Sequence, residues 1–178
     1  VAGAARLVEH LRTRARLEPE ALFRTSARVD LAAPANDAIV ARAPIAEARG
    51  IDLGRTGAAA VEVAGDSANL ATLLANLLDN AAKYTPVGTR IRIAAVADAP
   101  MVRVVVEDEG PGLPPGDPRL LFEKFQRGHE ESPVVGAGLG LAICSAIVSA
   151  HGGEITARHG THGGARFEFT LPVAPTTP

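Results

Sequence analysis

Apolar and polar positions between residues 66 and 86 repeat with the period of an α-helix. One stripe is aliphatic and consists of Leu70, Leu73, Leu74, Leu77, Leu78 and Ala81. A second stripe carries Asn76, Asn80 and Lys83, spaced i, i+4 and i+7. This pattern predicts a helix that buries the first stripe and presents amides and an ammonium to a pocket, where a hard cation and phosphate are suitable ligands. The alternative for the two asparagines is a solvated face.

Asp66 or Ser67 can cap this central helix at its N-terminus, and Pro86 and Gly88 end it. Weaker patterns occur in the residues before it. They predict, in chain order, an amphipathic helix over residues 1–16, a linker over 17–28, a strand from 29, an alanine-rich helix over 36–49 ended by Gly50, and short strands at 51–53 and 60–64.

Alternating patterns follow the central helix. Residues 89–96 and 101–108 predict a hairpin, and the period of two places Asp108 on the apolar face of its second strand. A carboxylate there is costly without a specific donor, which could be structural or a ligand. The remaining predicted elements are a glycine turn at 109–112, a long loop at 113–137, a helix whose apolar face is Leu139, Ala142, Ile143, Ala146, Ile147 and Ala150, strands at 154–158 and 165–171, and a frayed tail at 173–178.

The composition excludes several classes of protein. The chain has 178 residues and a net charge of −2, which predicts one domain with a core and no nucleic-acid interface. Its single cysteine, Cys144, excludes an intrachain disulfide and is expected to be a small core residue. Residues 132–153 lack charged side chains, but their five glycines and their late helical period indicate a loop and a half-buried helix rather than a membrane span.

A glycine-rich segment, G-A-G-L-G-L at residues 136–141, opens the last helix. Free N–H groups and the positive end of the helix dipole make such a turn an anion site. Leu141 stands where a dinucleotide-binding fingerprint needs its third glycine, and the segment follows a loop rather than a strand, so that interpretation fails. The chain also lacks the G-x-x-x-x-G-K-[ST] phosphate loop and the H-R-D and D-F-G motifs of Ser/Thr/Tyr kinases.

Four motifs occur in order: N-x-x-x-N-A-x-K-Y at 76–84, D-x-G-x-G at 108–112, F-x-x-F-x-R at 122–127 and G-x-G-L-G-L at 136–141. Together they resemble the N, G1, F and G2 boxes of the ATP-binding catalytic domain of bacterial sensor histidine kinases, in the GHKL superfamily. The resemblance covers about residues 29–172. Its later part looks most like the potassium-responsive, Kdp-type sensor kinases, whereas the N-terminal segment looks more like the common pattern of the family.

The resemblance implies a two-layer α/β sandwich of the GHKL type. A mixed sheet would carry three longer helices on one face, with an ATP lid over the site. Residues 1–16 would end the second helix of a dimerisation hairpin, 17–28 would form a linker, 29–172 would form the catalytic domain and 173–178 would form a tail.

The same resemblance implies roles for individual residues in binding Mg·ATP. Asn80 would coordinate Mg²⁺, and Asp108 would accept a hydrogen bond from the adenine amino group, which suits an acceptor-only side chain. Asn76, Lys83 and Arg127 would act on the phosphates, with Arg127 neutralising charge on the transferred group. Phe122 and Phe125 would be apolar anchors of the lid. The other implied nucleotide contacts are Tyr84, Gly110, Gly112, Leu113, Gly136, Gly138, Leu139, Gly140 and Leu141.

The implied activity is transfer of the ATP γ-phosphoryl group to a histidine on a dimerisation domain absent from this chain. The implied partners are that phospho-acceptor domain and a downstream response regulator. The parent protein would be a homodimer anchored in the bacterial inner membrane, with this domain in the cytoplasm.

Two alternatives stay open: a GHKL-type ATPase, and a nucleotide-sensing module without catalysis. The ATPases place a water-activating glutamate where Asn76 stands, and an amide cannot act as a general base, which disfavours hydrolysis. His10 only partly matches an acceptor box and is expected to be an ordinary exposed residue. His151, His159 and His162 are expected to be loop histidines rather than metal ligands.

Overall fold

The computed structural model describes residues 27–56, 61–123 and 139–175. Their elements, in chain order, are β1 (Ala27–Asp30), α1 (Ala32–Ala48), β2 (Asp52–Thr56), β3 (Glu62–Gly65), α2 (Ser67–Tyr84), β4 (Arg90–Asp98), β5 (Met101–Asp108), a 3₁₀ helix (Pro118–Phe122), α3 (Gly140–Ala150), β6 (Ile155–His159) and β7 (Ala165–Pro172).

Five strands form a mixed sheet in the order β2-β4-β5-β7-β6. β2 runs parallel to β4, and the other neighbouring pairs are antiparallel. β1 and β3 form a separate two-stranded antiparallel sheet. The three helices pack on one face of the larger sheet, so the predicted two-layer α/β architecture is confirmed.

The core lies between α2 and the inward-facing residues of the sheet. All six residues of the predicted aliphatic stripe of α2 are buried, at 2% exposure or less. The strands contribute aliphatic and aromatic side chains to the same cluster, which include Ile91, Val104, Phe167 and Phe169. Burial of this stripe leaves the neighbouring amide stripe of α2 at the edge of the core, as the sequence predicts.

The first described helix begins earlier than the sequence predicts. α1 spans Ala32–Ala48 rather than residues 36–49. Pro34 suggests a break, but a proline in the first turn of a helix removes only an N–H group that has no intrahelical partner. The Asp30 carboxylate accepts a hydrogen bond from the Ala32 N–H at 2.9 Å, which supports the early start. Gly50, at φ 61°, confirms the predicted end.

The buried face of α3 differs from the predicted one. Ile143 and Ile147 are buried as expected, but Ala146 is exposed, and Cys144 and Val148 complete the buried face instead. α3 contacts both α2 and the sheet, so its apolar side is broader than one stripe. The Cys144 thiol lies 3.7 Å from Leu73 O and has no exposed surface, so the prediction of a small core residue is confirmed.

The predicted tail and the predicted long loop are both more ordered than the sequence indicates at their starts. Val173 forms a bridge with Val63, and Ala174 is buried and donates a backbone hydrogen bond to Glu62 O, so the start of the predicted tail joins the fold. The predicted loop at 113–137 contains the 3₁₀ helix, whose last residue, Phe122, packs edge-on against Phe167 at a centroid distance of 6.4 Å. Residues 124–138 of that loop, and the N-terminal segment 1–26, lie outside the described residues.

Candidate functional site

The α2 helix positions the amide stripe that the sequence singles out. Asp66 caps its N-terminus by accepting a hydrogen bond from the Asn69 N–H at 2.8 Å, as predicted. Asn76 and Asn80 are half-buried, and Lys83 and Tyr84 are exposed near the end of the helix. The Asn76 Nδ2 atom is fully buried and has no hydrogen-bond partner within the described residues. A buried amide nitrogen of this kind is costly unless a ligand accepts its hydrogen bond.

The N-terminus of α3 lies directly beside Asn76. A Cβ atom on Gly140 would be 3.8 Å from the Asn76 Oδ1 atom. No side chain caps α3, and its first intrahelical bond runs from the Ile143 N–H to Leu139 O. The earlier N–H groups of the helix are therefore left for a ligand, and together with the Asn76 amide they form a site suited to an anion.

Asp108 ends β5 on the inward face of the sheet and is 4% exposed. Its Oδ1 atom accepts hydrogen bonds from the Gly110 N–H at 2.8 Å and the Ala165 N–H at 3.1 Å. Oδ2 accepts no hydrogen bond from any residue that the structure describes. Burial raises the pKa of Asp108 above its ordinary value, although the two N–H groups oppose the shift. The side chain thus presents one acceptor oxygen to a ligand from a fixed position.

The glycines after Asp108 are required by close packing within the chain. A Cβ atom on Gly110 would lie 2.8 Å from Asp108 Oδ1 and 3.2 Å from Tyr84 O. Gly112 adopts φ 84°, and a Cβ atom there would lie 2.6 Å from His159 Nδ1 and 2.8 Å from Gly163 O. The glycine turn is therefore held between the end of α2 and the β6–β7 turn, which brings the C-terminal end of α2, with Lys83 and Tyr84, close to Asp108.

Arg49 fixes the C-terminal end of α2, and no sequence pattern indicates it. Its guanidinium donates hydrogen bonds to Ala82 O and, at 2.7 Å, to Thr85 O. Ala82 lies in the last turn of α2 and Thr85 is its C-cap residue, so both carbonyls are at the end of the helix where a cation is favourable. Because Arg49 lies 33 and 36 residues before these partners in the chain, only the folded structure reveals the contact.

His151 is a buried structural residue rather than the loop histidine that the sequence predicts. Its Nδ1 atom lies 2.7 Å from Ile147 O, and its Nε2 atom accepts a hydrogen bond from the Asp66 N–H at 3.1 Å. The ring therefore joins the end of α3 to the start of α2. His159 also has a structural contact, since its Nδ1 atom accepts from the Leu113 N–H at 3.5 Å.

Gly164 is a second supporting residue that is absent from the sequence predictions. A Cβ atom there would lie 1.8 Å from Asp108 O and 2.8 Å from Asp108 Oδ1, so only glycine allows this approach. The glycine pair Gly163-Gly164 before the last strand is the sequence feature that could have indicated this close approach.

The described site residues come from α2, α3, the end of β5 and the glycine turn that follows β5. Asn76 contacts the start of α3, which carries Gly140 and Leu141, and Tyr84 O contacts the turn that carries Gly110. Arg127, Gly136, Gly138 and Phe125 lie outside the described residues. Within the described part of the chain, no cluster of three or more His, Cys, Asp or Glu side chains could hold a metal. A cation at this site would therefore depend on Asn80 and on the ligands that the cation brings with it.

Comparison with known proteins identifies this arrangement. The chain belongs to the family of histidine kinase-, DNA gyrase B- and HSP90-like ATPases, whose family model matches residues 65–175. Within that family it is the ATP-binding catalytic domain of the sensor histidine kinase type.

Individual relatives agree with this assignment. Sensor protein KdpD of Escherichia coli is 52% identical over 100 residues, which cover 56% of this chain and 11% of KdpD. The solved structure of the mycobacterial sensor histidine kinase MprB has a TM-score of 0.73 at 30% identity, and the match covers 85% of this chain and all of that one. Full-length ShkA, solved in complex with AMPPNP, has a TM-score of 0.76 at 29% identity over 88% of this chain and 33% of ShkA.

The similarity to KdpD agrees with the predicted likeness to Kdp-type kinases, although the chain spans only about a tenth of that relative's length.

None of the helices in the described ranges combines the length and apolar character that crossing a bilayer requires.

Proposed function

We propose that this chain binds Mg·ATP and transfers the γ-phosphoryl group to a histidine on a separate dimerisation and phospho-acceptor domain. One observation carries the proposal: an orphaned amide lies beside an uncapped helix N-terminus, and the helix that carries this amide ends against the glycine turn of a buried carboxylate with a single available oxygen. The carboxylate suits adenine, and the amide and the helix N-terminus suit phosphate.

Asp108 would select the base. Its Oδ2 atom can only accept a hydrogen bond while ionised, so it would pair with the amino group of adenine and oppose the carbonyl oxygen of guanine. Because Gly110 and Ala165 hold Oδ1, the carboxylate has a fixed orientation before the nucleotide arrives. Tyr84, Gly112 and Leu113 border this end of the site and would contact the base.

Asn76, Lys83 and the N-terminus of α3 would hold the phosphates. The orphaned Asn76 Nδ2 atom fits a phosphate oxygen, because this acceptor would satisfy its buried hydrogen. Asn80 would offer its amide oxygen to Mg²⁺, which prefers oxygen ligands and takes most of them from phosphates and water. When bound, Mg²⁺ would neutralise charge on the triphosphate.

Arg127 and the remaining lid residues, Phe125, Gly136 and Gly138, keep the roles that the sequence implies. The parent protein is proposed to be a homodimer anchored in the inner membrane, with a response regulator downstream. Hydrolysis to water is disfavoured, since Asn76 stands where a general base would be needed.

Phosphotransfer from labelled ATP to a panel of purified acceptor hairpins tests this function. We expect one or more hairpins to be labelled on histidine, and Arg127→Ala to slow the transfer more than it weakens ATP binding. Asn80→Asp should change the metal dependence of the reaction. Release of inorganic phosphate without labelling of any hairpin would instead support the ATPase.

A further inference from the structure

The turn between β6 and β7 forms a wall of the proposed nucleotide site. It spans residues 160–164 and is closed by a hydrogen bond from the Gly160 N–H to Gly164 O at 2.6 Å and another from the Gly163 N–H to Gly160 O at 3.3 Å. The turn is rich in glycine, so its backbone conformation is weakly restricted by its own side chains.

This turn touches the site at two places. Gly164 passes against Asp108, and the next residue, Ala165, donates the hydrogen bond that holds Asp108 Oδ1. Gly163 O and the His159 ring lie where a Cβ atom of Gly112 would be. A shift of the turn would therefore move both the adenine-selecting carboxylate and the glycine turn that leads into Leu113.

Glu107 holds the turn from the opposite face of the sheet. Its Oε1 atom accepts hydrogen bonds from both the N–H and the hydroxyl of Thr161, each at 2.8 Å. Its Oε2 atom accepts from the Arg166 guanidinium at 3.0 Å. Burial alone would raise the pKa of Glu107, but the hydrogen bonds from Thr161 and Arg166 hold it below the ordinary value. The carboxylate therefore stays ionised and keeps both sets of contacts.

Adjacent residues of β5 project to opposite faces, so Glu107 and Asp108 flank the same backbone unit. We propose that Glu107 is a positioning residue for the nucleotide site, which acts through Thr161 and the β6–β7 turn to set the position of Asp108 and Gly112. This inference rests on the proposed nucleotide site. Glu107 itself would not touch the nucleotide.

Glu107→Ala is the informative change, and Glu168→Ala is its matched control. Glu168 lies on the same outer face and forms ion pairs with Arg103, Arg158 and Arg166, but its carboxylate forms no hydrogen bond or ion pair with residues 160–164. We expect Glu107→Ala to weaken AMPPNP binding about ten-fold, the equivalent of about 1.4 kcal/mol. Glu168→Ala should bind AMPPNP with the same affinity as the unchanged chain, even if it loses as much stability as Glu107→Ala does.

A conservative variant separates the two contacts of Glu107. Glu107→Gln keeps an acceptor for Thr161 and loses the ion pair and hydrogen bond with Arg166, so its affinity should stay within about five-fold of the unchanged chain. Calorimetry on the three variants measures these affinities, and thermal unfolding of the same samples measures stability. Equal affinity losses in Glu107→Ala and Glu168→Ala, or none in Glu107→Ala, would overturn the positioning role.

Amide hydrogen exchange without nucleotide tests the same idea independently of binding. In Glu107→Ala, the amides of Leu113 and Ala165 should exchange faster, because their acceptors lie on or against the released turn. In Glu168→Ala they should be unchanged. If the unchanged chain fails to bind AMPPNP, the proposed function is wrong, and this exchange pattern alone decides whether Glu107 positions the turn. Unaltered exchange in Glu107→Ala would overturn the inference.

Discussion

At the scale of single residues, Asp108 divides its two oxygens between structure and recognition. Oδ1 accepts hydrogen bonds from two backbone N–H groups, and Oδ2 accepts none from the residues that the structure describes. A side-chain amide could turn over to suit either adenine or guanine, whereas a carboxylate offers acceptors only. The fixed carboxylate is therefore expected to favour adenine over guanine.

Asp108→Asn should separate binding from stability. The amide oxygen can still accept from Gly110 and Ala165, which turns a donor toward the nucleotide. ATP affinity should fall about ten-fold or more, because a mispaired buried group costs about 1–3 kcal/mol, while GTP affinity should not fall. Calorimetry with both nucleotides measures this, with Glu109→Gln as control, since Glu109 pairs with Arg90 instead. Equal binding of ATP and GTP by the unchanged chain would show that the pocket is wrongly assigned.

The raised pKa of Asp108 predicts a pH dependence of folding. A carboxyl group whose pKa is raised in the folded state contributes stability that is complete below its unfolded value, 3.8, and is lost as the pH rises through the folded value. Without nucleotide, the free energy of unfolding relative to Asp108→Asn should therefore decrease as the pH rises from about 4 toward neutrality. Urea unfolding of both proteins across this range measures the difference. An increase with pH would contradict the effect of burial.

Local sequence patterns locate Asp108 but not the residues that support the site. The period of two in a strand fixes the face of every residue, so an acid among alternating valines is visible in the sequence. Arg49, Glu107 and Gly164 were missed because their partners lie tens of residues away along the chain. Contacts of this kind depend on which strands become neighbours, and no local pattern specifies that.

At the scale of elements, the two ends of α2 are fixed by different means. Asp66 caps the start, and its own N–H donates to His151 at the end of α3. Arg49 binds the carbonyls of the last turn. The helix that carries Asn76 and Asn80 is thus held in position at both ends. Its limits were predictable from the cap and from Pro86, whereas the early start of α1 was hidden by a proline that a first turn tolerates.

Asp66→Ala should destabilise the domain by about 1 kcal/mol, because it removes the N-cap of the central helix. Asp117→Ala is a matched control, since Asp117 caps the 3₁₀ helix in the same way but that element has no buried residues. We expect the midpoint of urea unfolding to shift clearly for the first variant and little for the second. Equal shifts would mean that the cap of α2 contributes no more to stability than the cap of the 3₁₀ helix.

At the scale of the whole molecule, Val173 and Ala174 connect the two sheets. The Val173 N–H donates to Pro100 O at 3.0 Å, next to β4 and β5, and the Ala174 N–H donates to Glu62 O at 3.1 Å on β3. Ala174 is 6% exposed. The two-stranded sheet would otherwise depend on helix contacts and on the short connections of β1 and β3.

Truncation after Pro172 should therefore cost about 1–3 kcal/mol of unfolding free energy, the net value of two backbone hydrogen bonds. Truncation after Pro175 keeps both bonds and should leave stability unchanged. Urea denaturation of the two shortened chains compares them directly. Identical midpoints would show that residues 173–175 are an unimportant tail.

The close approach of Gly164 to Asp108 also selects the pairing of the last strand. A slip of β7 by two residues along β5 would preserve its inward and outward alternation, so the apolar pattern leaves several pairings equivalent. In either slipped pairing, His162 or Arg166 would pass Asp108 O, where a Cβ atom has no room. The missing Cβ atom of Gly164 thus distinguishes the observed alignment from the two slipped alignments nearest to it, because only the observed one places a glycine at Asp108 O.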